Sequence, residues 1–121
     1  MSIQFDKAYG VHVQAMEVRM QRSEILAANL ANESTPGFQA RDIDFAGAMR
    51  DLATRGASSF RSASSASDLM YRVPNQASQD GNTVELGVEQ AEFSRNAMDF
   101  QTSLTFLTMK FSGLKKAIEG Q

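Results

Sequence analysis

The last third of the chain carries apolar positions that recur every seven residues. One set reads Leu86, Phe93, Phe100, Leu107 and Leu114, and the interleaved set reads Gln90, Ala97, Leu104, Phe111 and Ile118. Nine of these ten positions are apolar, and Gln90 is the exception. Alternating spacings of four and three put all ten on one side of an α-helix. The pattern predicts a heptad helix over 84–121, about 50 Å long at 1.5 Å per residue. That exceeds what a compact domain of this size needs. The seam must be buried against something equally long, either the other end of this chain or neighbouring molecules. This favours an assembly part over an enzyme.

The N-terminal segment, 1–32, also reads as a helix. Phe5, Tyr9, Val13, Met16, Met20, Ser23, Ala27 and Leu30 form one stripe at helical spacing, and Val11, Ala15, Val18 and Ile25 form a weaker second one. Two stripes suggest two sets of contacts, one with the C-terminal helix and one with a neighbouring subunit. A single broad apolar face accounts for the same pattern. The helix is expected to stop near Asn32, a residue that tolerates the left-handed conformation, before Pro36 forbids continuation.

Between the two helices, 33–83 is irregular, and the three parts together make one domain. Thr35-Pro36-Gly37 is a turn signal, with Pro presetting φ at the first corner and Gly accepting positive φ at the second. Phe38 to Phe45 reads as a short extended segment or loop, followed by a brief helix at about Phe45 to Thr54. Gly56 to Ser67 is almost all Ser and Ala, too poor in apolar area to order alone. Leu69 to Val73 reads as a short strand or extended arm ending at Pro74. Asp80-Gly81 marks a turn, and Asn82 or Thr83 is expected to cap the last helix, with Glu85 near capping-box spacing.

Charge and composition narrow the function. Lys and Arg total 12 against 14 Asp and Glu, for a net charge of −2. The basic residues are scattered, so no nucleic-acid stripe appears. With no cysteine, neither disulfides nor thiolate metal sites form. No run reaches the ~18 apolar residues of a membrane span. Met1 to Tyr9 contains Gln4, Asp6 and Lys7 and is unlike a secretory signal, so the protein is expected to stay in the cytoplasm or leave without a cleaved signal.

Catalytic and metal chemistry is not evident. His12 is the single histidine and has no partner at zinc-site spacing. Asp42-x-Asp44 is one acidic pair without further ligands, and Asp80-Gly81-Asn82 is a fragment of a calcium loop at most. The serines lack a nucleophile-elbow context. The chain is expected to be no enzyme and to hold no metal or cofactor.

The most specific motif is structural. It runs Ala28-Asn29-Leu30-Ala31-Asn32, then Glu33-Ser34, then Thr35-Pro36-Gly37-Phe38, and on through Ala40-Arg41-Asp42-Ile43-Asp44-Phe45. Two Asn residues near a helix end suit the unpaired backbone groups there, and the turn presents Phe38 as an apolar anchor. This segment resembles the N-terminal signature of the rod, hook and related axial proteins of the bacterial flagellum. Leu69 to Pro74, Asp80 to Val84 and Gln101 to Leu107 extend the resemblance over nearly the whole chain and narrow it to the proximal-rod members of the basal-body rod family. The chain lacks the length for the large domain that distal-rod and hook relatives insert between the helices.

The resemblance implies a mainly α subunit. Its terminal helices pair as a coiled coil, with short extended arms in the irregular middle. It implies a structural part of the proximal rod in the basal body, exported by the flagellar type III system without a cleaved signal. It also implies a helical tube that carries torque from the membrane ring to the hook. The implied partners are other copies of the chain, other rod proteins and, at the rod base, the rod-to-ring adaptor, the membrane ring and the export gate. Neither nucleic acid nor a direct membrane span is implied. Asn29, Asn32, Thr35, Pro36, Gly37 and Phe38 of the motif, with Phe93, Phe100, Leu104, Leu107, Phe111, Leu114 and Ile118 of the seam, are the expected assembly residues. Composition and heptads alone also permit a soluble helical adaptor or export chaperone that binds a partner helix.

Overall fold

The computed structural model describes residues 5–55 and 69–120. The elements are α1 (Phe5–Ala31), β1 (Arg41–Ile43), α2 (Phe45–Arg55), β2 (Leu69–Tyr71) and α3 (Leu86–Glu119). The Ser/Ala-rich stretch Gly56 to Ser67 lies outside the described residues. The fold is mainly α, with α1 and α3 packed against each other and α1 also touching β1 and α2. The pair is antiparallel. Asn29 meets Glu89, Arg19 and Ser23 meet Asn96, and Tyr9 meets Lys110.

The heptad seam is divided between two environments. Leu107 is buried and Phe93, Phe100 and Leu114 are half-buried, so these four face inward, while Leu86 at the start of the set is exposed. The interleaved set, Gln90, Ala97, Leu104, Phe111 and Ile118, is exposed. Beside Phe93 and Phe100 the inward lane is instead Glu89, Asn96 and Ser103. On a helix, i+3 and i+4 flank the same residue on opposite sides. α1 lies on the i+3 side, where Glu89 and the Asn96 side-chain nitrogen find partners. Asn96 Nδ2 donates to the Arg19 carbonyl (2.8 Å) and to Ser23 Oγ (2.7 Å).

α1 buries one broad face that draws on both predicted stripes and on Leu26, which belongs to neither. Val18 and Leu26 are fully enclosed, and Tyr9, Ala15, Met16, Ser23, Ile25 and Leu30 are half-buried. Val13, Met20 and Ala27 remain exposed, one heptad apart from one another. Among the described residues the buried apolar side chains are only Val18, Leu26, Ala40 and Leu107. So small a core must be supplemented by directional polar contacts or by neighbours.

The two short extended segments pair with each other, which periodicity did not foretell. β1 and β2 run antiparallel, with Arg41 opposite Tyr71, Asp42 opposite Met70 and Ile43 opposite Leu69. The pairing continues where the Arg72 amide donates to the Ala40 carbonyl (2.9 Å).

Two local expectations need correction. Asn32 closes α1, but not by a left-handed backbone, since no described non-glycine residue has positive φ. Its amide nitrogen and its side-chain Nδ2 both donate to the Ala28 carbonyl (3.1 and 2.7 Å). Asn82 and Thr83 do not cap α3. The cap position is Glu85, which makes no side-chain cap bond. The side chains of Asn82 and Thr83 are engaged by the other loop, and Glu85 accepts the Asn75 amide instead (2.7 Å). The far end of α3 closes on Gly120 (φ 75°), whose N–H donates to the Lys116 carbonyl.

Candidate functional site

At the loop end of the helix pair, the signature residues knit two loops into one unit. The Phe38 amide donates to the Thr35 carbonyl (3.3 Å), and Gly37 takes φ 75°, the turn its sequence predicts. The Asn82 side-chain Nδ2 lies against the carbonyls of Asn32, Glu33 and Thr35 at 3.0, 2.8 and 2.8 Å. Two hydrogens shared among three acceptors fix the turn from inside, and Asn82 is buried. Thr83 contributes twice. Its amide donates to the Phe38 carbonyl (2.9 Å), and its hydroxyl accepts the Ala40 amide (2.7 Å). Asp80 braces the second turn. Hydrogen bonds from Ser78 and from the Asn82 amide hold its carboxyl below the ordinary range.

Next to this knot lies an ion network joining four segments. Arg22 of α1 donates through Nε and Nη2 to both Asp42 oxygens (2.8 and 3.0 Å), and Nη2 also reaches Glu92 (2.7 Å). Arg72, just after β2, donates to Asp42 (2.9 Å) and to Glu89 of α3 (2.7 Å). Glu89 is fully enclosed, and its other oxygen accepts Asn29 Nδ2 (3.0 Å). Asn29 also pairs with both backbone groups of Arg41, donating to the carbonyl (2.7 Å) and accepting the amide (3.1 Å). That occupies the outer edge of β1. Burial pushes the Asp42 carboxyl up. The hydrogen bonds and charge of Arg22, the Ile43 amide and the charge of Arg72 outweigh it and hold the group below the usual carboxylate range. The bond to Asp42, working against burial, raises Arg22 above its ordinary value.

The shaft away from the loops has a different character. From Phe100 to Met109, α3 carries no charged residue. Thr102, Thr105 and Thr108 turn their hydroxyls back onto the carbonyls of Met98, Gln101 and Leu104 (3.0, 3.0 and 2.9 Å). Their hydrogen-bonding needs are met within the helix, and their methyl groups are left for contact. Around them Met98, Leu104, Phe106, Met109, Phe111 and Ile118 are exposed. A helix apolar on so much of its circumference is of the kind that becomes enclosed. Phe111 meets α1 on one side only, with its ring 4.5 Å from that of Tyr9.

The expected assembly residues therefore separate into two groups. Asn29, Asn32, Phe38, Phe93, Phe100, Leu107 and Leu114 have inward roles within the subunit, while Thr35, Pro36, Gly37, Leu104, Phe111 and Ile118 are exposed. Arg22, Arg72, Glu89, Asn96 and Asn82 were not singled out as a site from sequence. The only available signal was the polar i+3 lane beside an apolar seam. Asp42 and Asp44 part company, the first in the ion network and the second exposed. His12 accepts a hydrogen bond from the Lys110 ammonium (2.9 Å). Among the described residues no group of three or more His, Asp and Glu is placed to hold a metal ion, and no helix is long and apolar enough to cross a membrane.

Residues 10–39, which hold most of α1 and the signature turn, match the family "Flagella basal body rod protein". The whole chain is 46% identical over 131 residues to the flagellar basal body rod protein FlgB of Aeromonas hydrophila, covering 100% of this chain and 99% of that one. The chain belongs to the FlgB family of flagellar basal body rod proteins. FlgB of Salmonella typhimurium is 40% identical, with 95% of each chain covered, and FlgB of Escherichia coli is 36% identical, with 94% of each covered. As a FlgB-family member the protein is a structural component of the proximal rod of the flagellar basal body. The adaptor or chaperone reading is not favoured.

Proposed function

We propose that the subunit builds the base of the rod as one unit of a helical tube that carries torque from the membrane ring to the hook. The observation that carries this reading is the pair of exposed apolar lanes. Leu104, Phe111 and Ile118 on α3 and Val13, Met20 and Ala27 on α1 are exposed at the same seven-residue period. A tube joins unlike surfaces head to tail, so each subunit needs two. The two lanes supply them, with copies of this chain and other rod proteins as the neighbours. At the rod base the reading adds the rod-to-ring adaptor, the membrane ring and the export gate. Passage through the type III apparatus in an unfolded state suits a subunit whose own core is so small. The proposed assembly residues are the exposed turn Thr35-Pro36-Gly37 and the α3 lane, with Asn29, Asn32, Phe38, Phe93, Phe100, Leu107 and Leu114 shaping them from inside.

Deleting the gene and re-expressing the protein tests this. The deletion should leave cells without hooks and non-motile. Restored cells should yield basal bodies that contain the protein in the rod. Hooks formed without the protein, or basal bodies that lack it in motile cells, would overturn the reading.

A further inference from the structure

Apolar burial and polar pairing are shared differently between the two halves of the chain. Val18, Leu26 and Ala40 lie in the first half, residues 5–55, and the second half, residues 69–120, adds only Leu107 to the buried apolar side chains among the described residues. On apolar burial alone the first half would fold by itself and the second would dock on it. The polar groups are not so divided. The carbonyls of Asn32, Glu33 and Thr35 in the first half take their side-chain donor from Asn82 in the second. The Phe38 carbonyl and the Ala40 amide are paired by Thr83, and the Ala40 carbonyl by the Arg72 amide. Asp42 divides its two oxygens between Arg22 of its own half and Arg72 of the other. The dependence also runs the other way. On α3, enclosed Glu89 accepts Asn29, Glu92 accepts Arg22, and enclosed Asn96 donates to Ser23, all three from the first half.

We propose that the signature turn and the Asn82-Thr83 segment form an internal latch that keeps each half of the chain unfolded until the other half is present. Without the second half, β1 has no partner strand and the turn has no donor. A segment of about fifty residues with so small a core buries too little surface to hold its order. Without the first half, the second keeps only contacts close in sequence, such as Asn75 with Glu85 and Arg72 with Glu89. The use of the latch rests on the export part of the reading above. A chain threaded through a narrow passage delivers one half before the other. Whichever half leads, it finds no partner and stays extended, so no folded body forms in the passage. Folding follows once both halves are through.

Amide hydrogen exchange on the purified full-length protein tests the latch. Asn82→Ala lies in the second half and strips the turn of its donor. It should speed exchange of the Val18 to Leu26 amides of α1 and of the Phe93 to Phe100 amides of α3 by the same factor, about tenfold or more. Arg22→Met lies in the first half and should likewise speed both sets equally. If either variant leaves too little folded protein to measure, Thr83→Val gives the same readout with a smaller factor, because it removes only the hydroxyl that accepts the Ala40 amide. Unequal factors would overturn the proposal. In particular, α1 amides that keep wild-type protection in Asn82→Ala, while those of α3 lose theirs, would show the first half holding its fold alone. The exchange factors do not depend on export or assembly. Equal factors in a protein that is absent from basal bodies would sink the rod reading and leave the latch standing.

Discussion

The two ends of the α1–α3 pair are held by opposite means. At the loop end, α1, β1, the segment after β2 and α3 are joined by Arg22, Asp42, Arg72, Glu89 and Asn29, with Asn82 pinning the signature turn. Nearly every contact there is polar and directional. At the other end the contacts between the helices include the Tyr9–Phe111 ring pair, the Tyr9 hydroxyl on the Lys110 carbonyl (3.4 Å) and the His12–Lys110 bond. Apolar side chains there stay in water. Polar networks in a low-dielectric setting specify one geometry, because any rearrangement leaves a group unpaired. Apolar lanes are permissive and accept whichever neighbour brings a matching surface. On the proposed reading the contrast separates two tasks, with one end defining the subunit and the other offered to its neighbours.

The largest expected effect comes from breaking the polar end. Arg72→Met leaves Glu89 enclosed with Asn29 as its remaining partner, and removing one member of a buried pair costs about 3–5 kcal/mol. Urea unfolding followed by circular dichroism should register that loss. Adding Glu89→Gln to Arg72→Met should recover part of it, because the uncompensated charge is then gone. Asn82→Ala, which strips three carbonyls of their donor, should cost about 1–3 kcal/mol in the same measurement.

Acid provides a gentler probe of the same end. Asp42 is held below its ordinary value in the folded subunit, so the unfolded chain takes up this proton first. Its contribution is complete well above about pH 4, the ordinary Asp value, and is lost as pH falls through the lower folded value. A plot of stability against pH should bend downward there for the wild type and be flatter for Asp42→Asn. Amide exchange sharpens the comparison further. Protection should be highest around Glu89 to Asn96 and fade toward Lys115 to Glu119, where α3 has few partners within the subunit. Uniform protection along α3 would contradict the division.

Much of this was legible in the sequence, and the failures have physical causes. Seven-residue recurrence locates both long helices because helix period depends only on spacing. The Thr35-Pro36-Gly37 turn follows from backbone rules that act within four residues. What spacing does not reveal is which flank of Phe93, Phe100 and Leu107 meets α1. That was decided by Asn96 finding the Arg19 carbonyl and Ser23, and by Glu89 finding Arg72 and Asn29, partners far away in sequence. For the same reason Asn82 was read as a helix cap. A local signal fits either role, and only the folded chain brings the Thr35 carbonyl to it. The β1–β2 pairing was missed because each strand has only three residues, too few for alternation to show.

The most direct test places one charge on the open lane. Leu104 is exposed in the subunit, so Leu104→Asp should change urea stability by less than about 0.5 kcal/mol, as a surface substitution does. In the tube the same carboxylate would be enclosed without a partner, at a cost of several kcal/mol. Basal bodies isolated from cells carrying Leu104→Asp should therefore lack the protein although the free subunit folds normally. Wild-type amounts of the variant in the rods of motile cells would contradict the account.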